Sequence, residues 1–134
     1  MSPNGRWLAY STNETGRYQI VVQPFPDPSG GKWQVSSAGG LYPRWRRDGR
    51  DLFYIDGAGR MVAVSVRTDG AFEVGTSTPL FETSIGSSGE IWLSQYDVTA
   101  DGQQFVLATR SSLLGPFTAL TVTLNWTAEF KKWP

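Results

Sequence analysis

Short apolar and aromatic runs of strand length recur along the chain, and turn-forming residues separate them. Runs of this kind are typical of β-strands, and no stretch shows the periodicity of a helix of three turns. Residues 61–66 alternate only weakly, which indicates a strand covered on both faces. The pattern therefore predicts an all-β protein. The predicted strands cover residues 6–11, 18–23, 32–36, 41–46, 51–55, 60–66, 78–82, 91–98, 103–109 and 117–125.

One unit, in which a tight turn ending in glycine joins two strands, occurs three times. The turn residues are Asn4-Gly5, Asp48-Gly49 and Asp101-Gly102. Asn or Asp before glycine favours a tight turn, because its side chain bonds the local backbone and glycine accepts a positive φ. A calcium loop would need oxygen ligands in alternating positions, and the sequence holds no such run. We therefore interpret these six residues as structural turns.

The spacing of the repeats indicates the fold. The three turn glycines lie 44 and 53 residues apart, a spacing typical of β-propeller blades. We expect a single domain, a partial propeller of about two and a half to three four-stranded blades. The predicted blades are an incomplete first blade at 1–37, a second at 38–83 and a third at 84–134. The stretch 126–134 loses strand character and predicts a short helical turn.

The first blade begins at its turn, so we interpret the chain as a fragment of a longer protein. Three angular positions are too few for a closed ring, and open blade faces would be prone to aggregation. Two copies would supply six positions and close the ring. We therefore expect the fold to be completed by oligomerisation.

Residues 2–11 read Ser-Pro-Asn-Gly-Arg-Trp-Leu-Ala-Tyr-Ser and resemble the Ser-Pro-Asp-Gly-x-x-apolar-Ala-aromatic-Ser signature of TolB-like, WD-repeat-like β-propellers. Residues 43–54 repeat this signature in altered form. Residues 124–132 are similar to the closing segment of propellers that form the C-terminal part of certain bacterial serine/threonine kinases. The resemblance implies six blades, extracytoplasmic sensing or protein contact, and no catalysis by the propeller. The chain itself lacks the His-Arg-Asp and Asp-Phe-Gly motifs of a kinase.

Composition mainly excludes classes of function. The 134 residues include no His and no Cys, which excludes Ser-His-Asp triads, thiolate nucleophiles, disulfides and nearly all catalytic zinc sites. We therefore expect no catalytic residues, no cofactor and no metal. The 12 basic and 12 acidic residues give a net charge of zero, so we expect no nucleic-acid partner. Neither a membrane-spanning run nor a signal peptide is visible, and we expect no membrane insertion; the cellular location stays open.

The basic cluster at residues 44–50 is one candidate contact surface. Arg44 and Arg46 share one face of the predicted strand and Trp45 takes the other. Arginine forks bind carboxylates and phosphates and stack on aromatic rings. These two arginines therefore fit either structural pairing at the rim or contact with another protein.

Aromatic side chains are the second group of candidates. Aromatic residues make up 13% of the chain, with 6 Trp, and they are enriched in the energetically dominant parts of interfaces. Trp92 and Tyr96 fit either a binding surface or packing between blades. Trp126, Phe130 and Trp133 lie at the open end and are candidates for a joint between copies.

These observations favour a non-catalytic propeller fragment that acts as a protein-interaction or sensor module. Its expected partners are a second copy of itself, in a homodimer or a higher ring, and a protein or peptide ligand. The alternative is a fragment of a propeller-containing hydrolase or lyase whose catalytic residues lie elsewhere in the parent protein.

Overall fold

The structure of the protein, a computed structural model, describes residues 1–85, 96–110 and 118–123. The described residues form ten strands and one turn of 3-10 helix, Pro28–Gly30. The strands are β1 (Trp7–Thr12), β2 (Gln19–Pro24), β3 (Trp33–Gln34), β4 (Leu41–Trp45), β5 (Asp51–Ile55), β6 (Arg60–Arg67), β7 (Glu73–Glu82), β8 (Tyr96–Val98), β9 (Phe105–Arg110) and β10 (Thr118–Thr123). The predicted all-β class is confirmed.

The strands form three antiparallel sheets. The first sheet has the order β1-β2-β3, the second β4-β5-β6-β7 and the third β10-β9-β8. Each strand pairs with its neighbour in the chain, because short turns suit antiparallel pairing. Successive meandering sheets of this kind are consistent with a partial propeller.

The central strands of the second sheet, β5 and the first half of β6, are buried on both faces, as the weak alternation at residues 61–66 predicts. On β5, Leu52 and Tyr54 contact a first cluster shared with the first sheet. Phe53 and Ile55 contact a second cluster shared with the third sheet. The first cluster comprises Trp7, Ile20, Val22, Val35, Leu52, Tyr54, Val62, Val64 and Phe72. The second cluster comprises Phe53, Ile55, Met61, Leu80, Ile85, Tyr96, Phe105 and Leu107. Burial of each side chain of this size contributes roughly 1.5–3 kcal/mol, so these clusters hold the sheets together.

An irregular backbone opens β4. Tyr42 has a φ of 58°, a left-handed conformation that is uncommon outside glycine. The pairing of β4 with β5 shifts register between Leu41 and Arg44. Pro43 lies inside this bulge, where a missing backbone N–H is tolerated. The bulge sets the position of Arg44 and Trp45, which follow it.

Several strand boundaries differ from prediction. β7 begins at Glu73 rather than at residue 78, since pairing with the long strand β6 orders an exposed polar stretch. β3 contains only Trp33–Gln34. Pro24 still belongs to β2, and its missing N–H is harmless because the pairing of β2 with β3 ends at Val22. The predicted strand residues 91–95, 117 and 124–125, and the helical turn at 126–134, lie outside the described residues.

Candidate functional site

The three repeated turns have the same geometry. Their glycines have φ values of 72°, 74° and 71°. In each turn the Asn or Asp side chain accepts the backbone N–H two residues later, at 3.1 Å for Asn4, 3.0 Å for Asp48 and 3.0 Å for Asp101. The exposed carboxyl of Asp101 also accepts the Thr99 hydroxyl, which is the main reason that its pKa is lowered. All three side chains are thus engaged within their own turns.

Each turn also contacts a neighbouring sheet. A Cβ added at Gly102 would lie 3.1 Å from Cδ of Arg46 and 3.3 Å from the ring of Phe53, so glycine is needed there for close approach as well as for its φ. In the first turn, the Asn4 amide and the Trp7 indole both donate to the carbonyl of Thr68, at 3.3 and 3.2 Å. The turns therefore help to fasten one sheet to the next.

Arg46 is paired within its own hairpin. Its Nη1 donates to Asp51 at 2.8 Å, and this hydrogen bond is the main cause of its raised pKa. Its buried Nε lies 3.4 Å from Asp48, an ion-pair contact that does not meet hydrogen-bond geometry. This placement suits the structural interpretation of Arg46 better than a role as a free contact residue.

Arg44 differs from Arg46, because it is exposed and forms no ion pair with any described residue. Its charge nevertheless acts on two neighbours. Burial, and then Arg44, lower the pKa of the amino group of Met1. Arg44 also opposes the rise in the pKa of Tyr96 that burial causes. Arg44 is therefore an exposed cation whose charge acts on the amino group of Met1 and on Tyr96 of β8.

Tyr96 lies in the interior. It is 4% exposed, belongs to the second cluster and donates its hydroxyl to the carbonyl of Tyr42 at 2.7 Å. This geometry suits packing between sheets rather than an open binding surface. The other aromatic candidates, Trp92, Trp126, Phe130 and Trp133, lie outside the described residues.

Trp45 carries an unusual polar group. Its ring packs against the first cluster, 6.5 Å from the ring of Phe72. Its indole Nε1 is buried and has no hydrogen-bond partner among the residues that the structure describes. A buried donor without a partner costs about 1–3 kcal/mol, so an acceptor brought to this point would be favoured.

Each of the three hairpins has the same backbone hydrogen bond next to its turn, but the hairpins differ in the strand that follows this bond. Backbone N–H groups donate from Ser2 to Trp7 at 2.7 Å, from Arg46 to Asp51 at 2.9 Å and from Thr99 to Gln104 at 2.9 Å. In the second and third sheets a strand continues the ladder, β4 beside β5 and β8 beside β9. Beside β1 no strand of the described residues does so. This agrees with the incomplete first blade that the sequence predicts, which begins at its turn.

The outer face of the first sheet is a second surface; the sequence predicts an open blade face here but did not identify its residues. Leu8 and Tyr10 lie on this face of β1, half-buried, and Val21 of β2 lies opposite Tyr10. The Tyr10 hydroxyl donates to Gln23 at 2.9 Å. Alignment of the three turns could have found these residues, because Leu8 then matches Leu52 and Phe105 in the repeat.

Elsewhere the described residues offer little chemistry. A shallow groove at the rim lies between residues 65–67 and 73–75, where Arg67 and Glu73 form an exposed ion pair at 3.0 Å. Within the described ranges no three acidic residues gather as a metal site. In the same ranges no helix has the length and apolar character needed to cross a bilayer.

No protein-family model and no curated protein sequence matches this chain. Among solved structures, a proposed 6-phosphogluconolactonase from Bacteroides uniformis is similar, with a TM-score of 0.51 and 16% identity over 92% of this chain and 39% of that one. TolB from Acinetobacter baumannii gives a TM-score of 0.36 and 17% identity over the same shares of the two chains. The chain thus spans about two fifths of each neighbour. At this identity the similarity concerns the fold alone, a coarse relation to β-propeller-like proteins.

Proposed function

We propose that the protein is a non-catalytic interaction or sensor module that assembles with a second copy of itself into a ring. The outer face of the first sheet carries this proposal. Two apolar clusters pack the first sheet on the second and the second sheet on the third. The outer face of the first sheet corresponds in the repeat to the faces that form these clusters, and no further described sheet packs against it.

The repeat register supports this assignment. Counted from the turn glycines, Leu52 and Phe105 occupy the same position on β5 and β9, and each packs on the preceding sheet. Leu8 occupies this position on β1. In the same way, Tyr10 of β1 occupies the repeat position of Tyr54 on β5 and Leu107 on β9. The first sheet therefore carries a face suited to a preceding sheet.

The third sheet supplies the complementary face. Phe105 and Leu107 point into the second cluster, so Val106 and Ala108, both half-buried, lie on the opposite face of β9. They correspond to Phe53 and Ile55, which pack on the following sheet. We propose that the Val106 face of one copy meets the Leu8 face of the next, a head-to-tail contact that closes after two copies.

The chemistry of the sequence supports a non-catalytic role. The chain lacks His and Cys, the side chains most often used as general bases and thiolate nucleophiles. The repeat at residues 2–11, which resembles that of TolB-like propellers, agrees with a role in protein contact. Among the described residues no arrangement favours the hydrolase or lyase alternative.

Light scattering coupled to gel filtration tests the assembly. The expected mass is about twice the 14.8 kDa of the chain. A mass of one chain that does not change with concentration would refute the ring. The mass of a trimer or of a larger closed assembly would support self-association but would refute a ring of two copies.

A further inference from the structure

Phe25, which directly follows β2, is an exposed aromatic residue on the outer face of the first sheet. It is 45% exposed, and no other aromatic side chain among the described residues is as open to solvent. Side chains alternate along an extended chain, so Phe25 shares the face of Gln23, whereas Val22 points into the first cluster. Gln23 in turn receives the Tyr10 hydroxyl. Phe25 therefore extends the face of Leu8 and Tyr10 toward the turn end of the sheet.

The backbone around Phe25 leaves this residue little freedom. Pro24 and Pro26 flank it, and proline fixes its own φ and restricts the residue before it. The 3-10 turn lies close to Pro24, since a Cβ added at Gly30 would meet the Cγ of Pro24 at 2.9 Å. An aromatic side chain held in this way loses little conformational entropy on binding, which favours its contact with another surface.

The second sheet shows what a residue in the position of Phe25 contacts. The N–H of Phe25 donates to the carbonyl of Arg6 at 2.9 Å, and the N–H of Val66 donates to the carbonyl of Arg50 at 2.8 Å. Arg6 and Arg50 each follow the glycine of their turn, so Phe25 and Val66 occupy the same position in the repeat. Val66 packs against the first cluster, which joins the second sheet to the first. Phe25 is therefore suited to pack against a preceding sheet.

A second repeat position supplies the surface that faces such a residue. It lies two places after the turn glycine, at Trp7 in the first sheet and at Gln104 in the third. Each of the two carbonyls accepts the same backbone hydrogen bond next to its turn, at 2.7 and 2.9 Å. Trp7 points into the first cluster. Gln104 is half-buried on the far face of the third sheet, because Phe105 beside it points into the second cluster.

The side chains at these two positions are complementary in size. Between the first and second sheets, the large Trp7 is combined with the smaller Val66. Between two copies, the large Phe25 would be combined with the smaller Gln104. The corresponding residue of the second sheet is the charged Asp51, which would not suit an aromatic ring. Because packed interfaces fill space closely, the third sheet is the sheet of this chain that fits Phe25.

From these observations we propose that Phe25 anchors the contact between two copies of the chain, and that its ring packs on Gln104 in the third sheet of the second copy. The match in size makes this pair the determinant of which sheet is accepted as the partner. This inference rests on the assembly proposed above, and it names the residues that give that assembly its affinity and its direction.

Phe25→Ala tests the anchor in the full chain. Sedimentation equilibrium should show that the dissociation constant of the dimer rises at least about tenfold, because buried aromatic anchors dominate the energy of interfaces. Val74→Ala is the matched control. Val74 is also exposed, at 40%, but it lies on β7 at the rim of the second sheet, and its loss should leave the dissociation constant nearly unchanged. Equal effects of the two variants, with both folded by circular dichroism, would overturn the proposal.

A double-mutant cycle tests the contact with Gln104. Phe25→Val should weaken the dimer about tenfold by loss of contact, and Gln104→Trp should weaken it about tenfold by overpacking. The two substitutions together recreate the combination of Val66 with Trp7 and should recover most of the parent affinity. Within one chain the second sheet separates the two positions, so this coupling has to arise between copies. If the two losses simply multiply, Phe25 does not meet Gln104 and the inference is wrong.

The parent chain, measured in the same way, separates this inference from the assembly on which it rests. A parent dimer that Phe25→Ala leaves unchanged would refute the anchor alone, and the ring would stand. A parent chain that is monomeric at every concentration would refute the ring and the anchor together, and would leave the outer face to an occupant other than a second copy.

Discussion

At the scale of single residues, positive φ at the turn glycines links the sequence repeat to the stacking of the sheets. Gly49 has a φ of 74°, and a Cβ added there would make only ordinary contacts, the nearest at 3.5 Å from the Thr68 hydroxyl. The penalty for a side chain at Gly49 is therefore conformational rather than steric. At Gly102 a side chain would carry the same conformational penalty and a steric one as well, because Arg46 and Phe53 lie close to the position of an added Cβ.

We expect Gly49→Val to destabilise the protein more than Asp48→Ala. The β-branched side chain is strained in the left-handed region by about 1–2 kcal/mol or more. Asp48→Ala loses the 3.0 Å hydrogen bond from the Arg50 N–H and a half-exposed contact with Arg46, about 0.5–1.5 kcal/mol. Urea unfolding of both variants gives the order, and the reverse order would show that the turn assignment is wrong.

The buried phenol of Tyr96 gives stability a dependence on alkaline pH. Burial raises its pKa above the ordinary value of about 10, with a smaller contribution from Asp97 and an opposing one from Arg44. Above pH ~10 the unfolded chain loses this proton while the folded chain keeps it, so the free energy of unfolding falls as pH rises. Below that pH the contribution is constant.

Tyr96→Phe removes this titration together with the 2.7 Å hydrogen bond to Tyr42. At pH 7 the variant should be less stable than the parent by about 1 kcal/mol, and the difference should shrink between pH ~10 and ~11. Urea unfolding at neutral and alkaline pH measures both differences. The pKa of Tyr54 is also raised by burial. Because Tyr54 is present in both proteins, its contribution to the pH dependence cancels in the difference between their free energies of unfolding. A difference that does not change with pH would contradict the assignment.

At the scale of strands, β9 shows how alternation decides the cost of a substitution. Phe105 is fully buried and meets Phe53 edge-on, with ring centroids 5.1 Å apart. Val106 is half-buried on the other face. Phe105→Ala should cost about 3–5 kcal/mol, whereas Val106→Ala, its matched control on the same strand, should cost much less. Similar losses in urea unfolding would mean that the third sheet does not pack as described.

The strands show where sequence reasoning succeeds and where it stops. β5 lies at the predicted residues 51–55, because a strong turn and a dense apolar run define both of its ends. The first part of β7 was missed because Glu73 and the residues after it are exposed, and only pairing with β6 makes them a strand. Such pairing depends on residues distant in sequence.

The same limit applies to the candidate site. The alternation of strand residues correctly placed Arg44 and Arg46 on one face of β4 and Trp45 on the other. It did not show that Arg46 forms an ion pair whereas Arg44 forms none with a described residue. The positive φ of Tyr42 breaks the usual preference for glycine or Asn, so Tyr42 itself gave no signal of the bulge; the local sign was Pro43, a residue that bulges and edge strands tolerate. The incomplete first blade, by contrast, was predicted from the sequence, because the first turn has no strand before it.

At the scale of the whole molecule, the repeated register makes a specific prediction about assembly. Leu8 faces away from the first cluster, so Leu8→Glu should leave the fold of the chain intact. It would, however, place a charge in the proposed joint, where an unpaired buried charge is strongly unfavourable. We therefore expect Leu8→Glu to shift the mass from about twice 14.8 kDa toward that of one chain.

Arg17→Gln is the matched control for this shift. It changes the net charge by the same amount, but Arg17 is exposed in the loop between β1 and β2, away from the joint, so its mass should equal that of the parent. Light scattering over a dilution series measures both variants, and circular dichroism checks that each keeps its β spectrum. Should Leu8→Glu remain a dimer while folded, the copies must meet elsewhere, and the equivalence between Leu8 and the buried residues Leu52 and Phe105 would not extend to assembly.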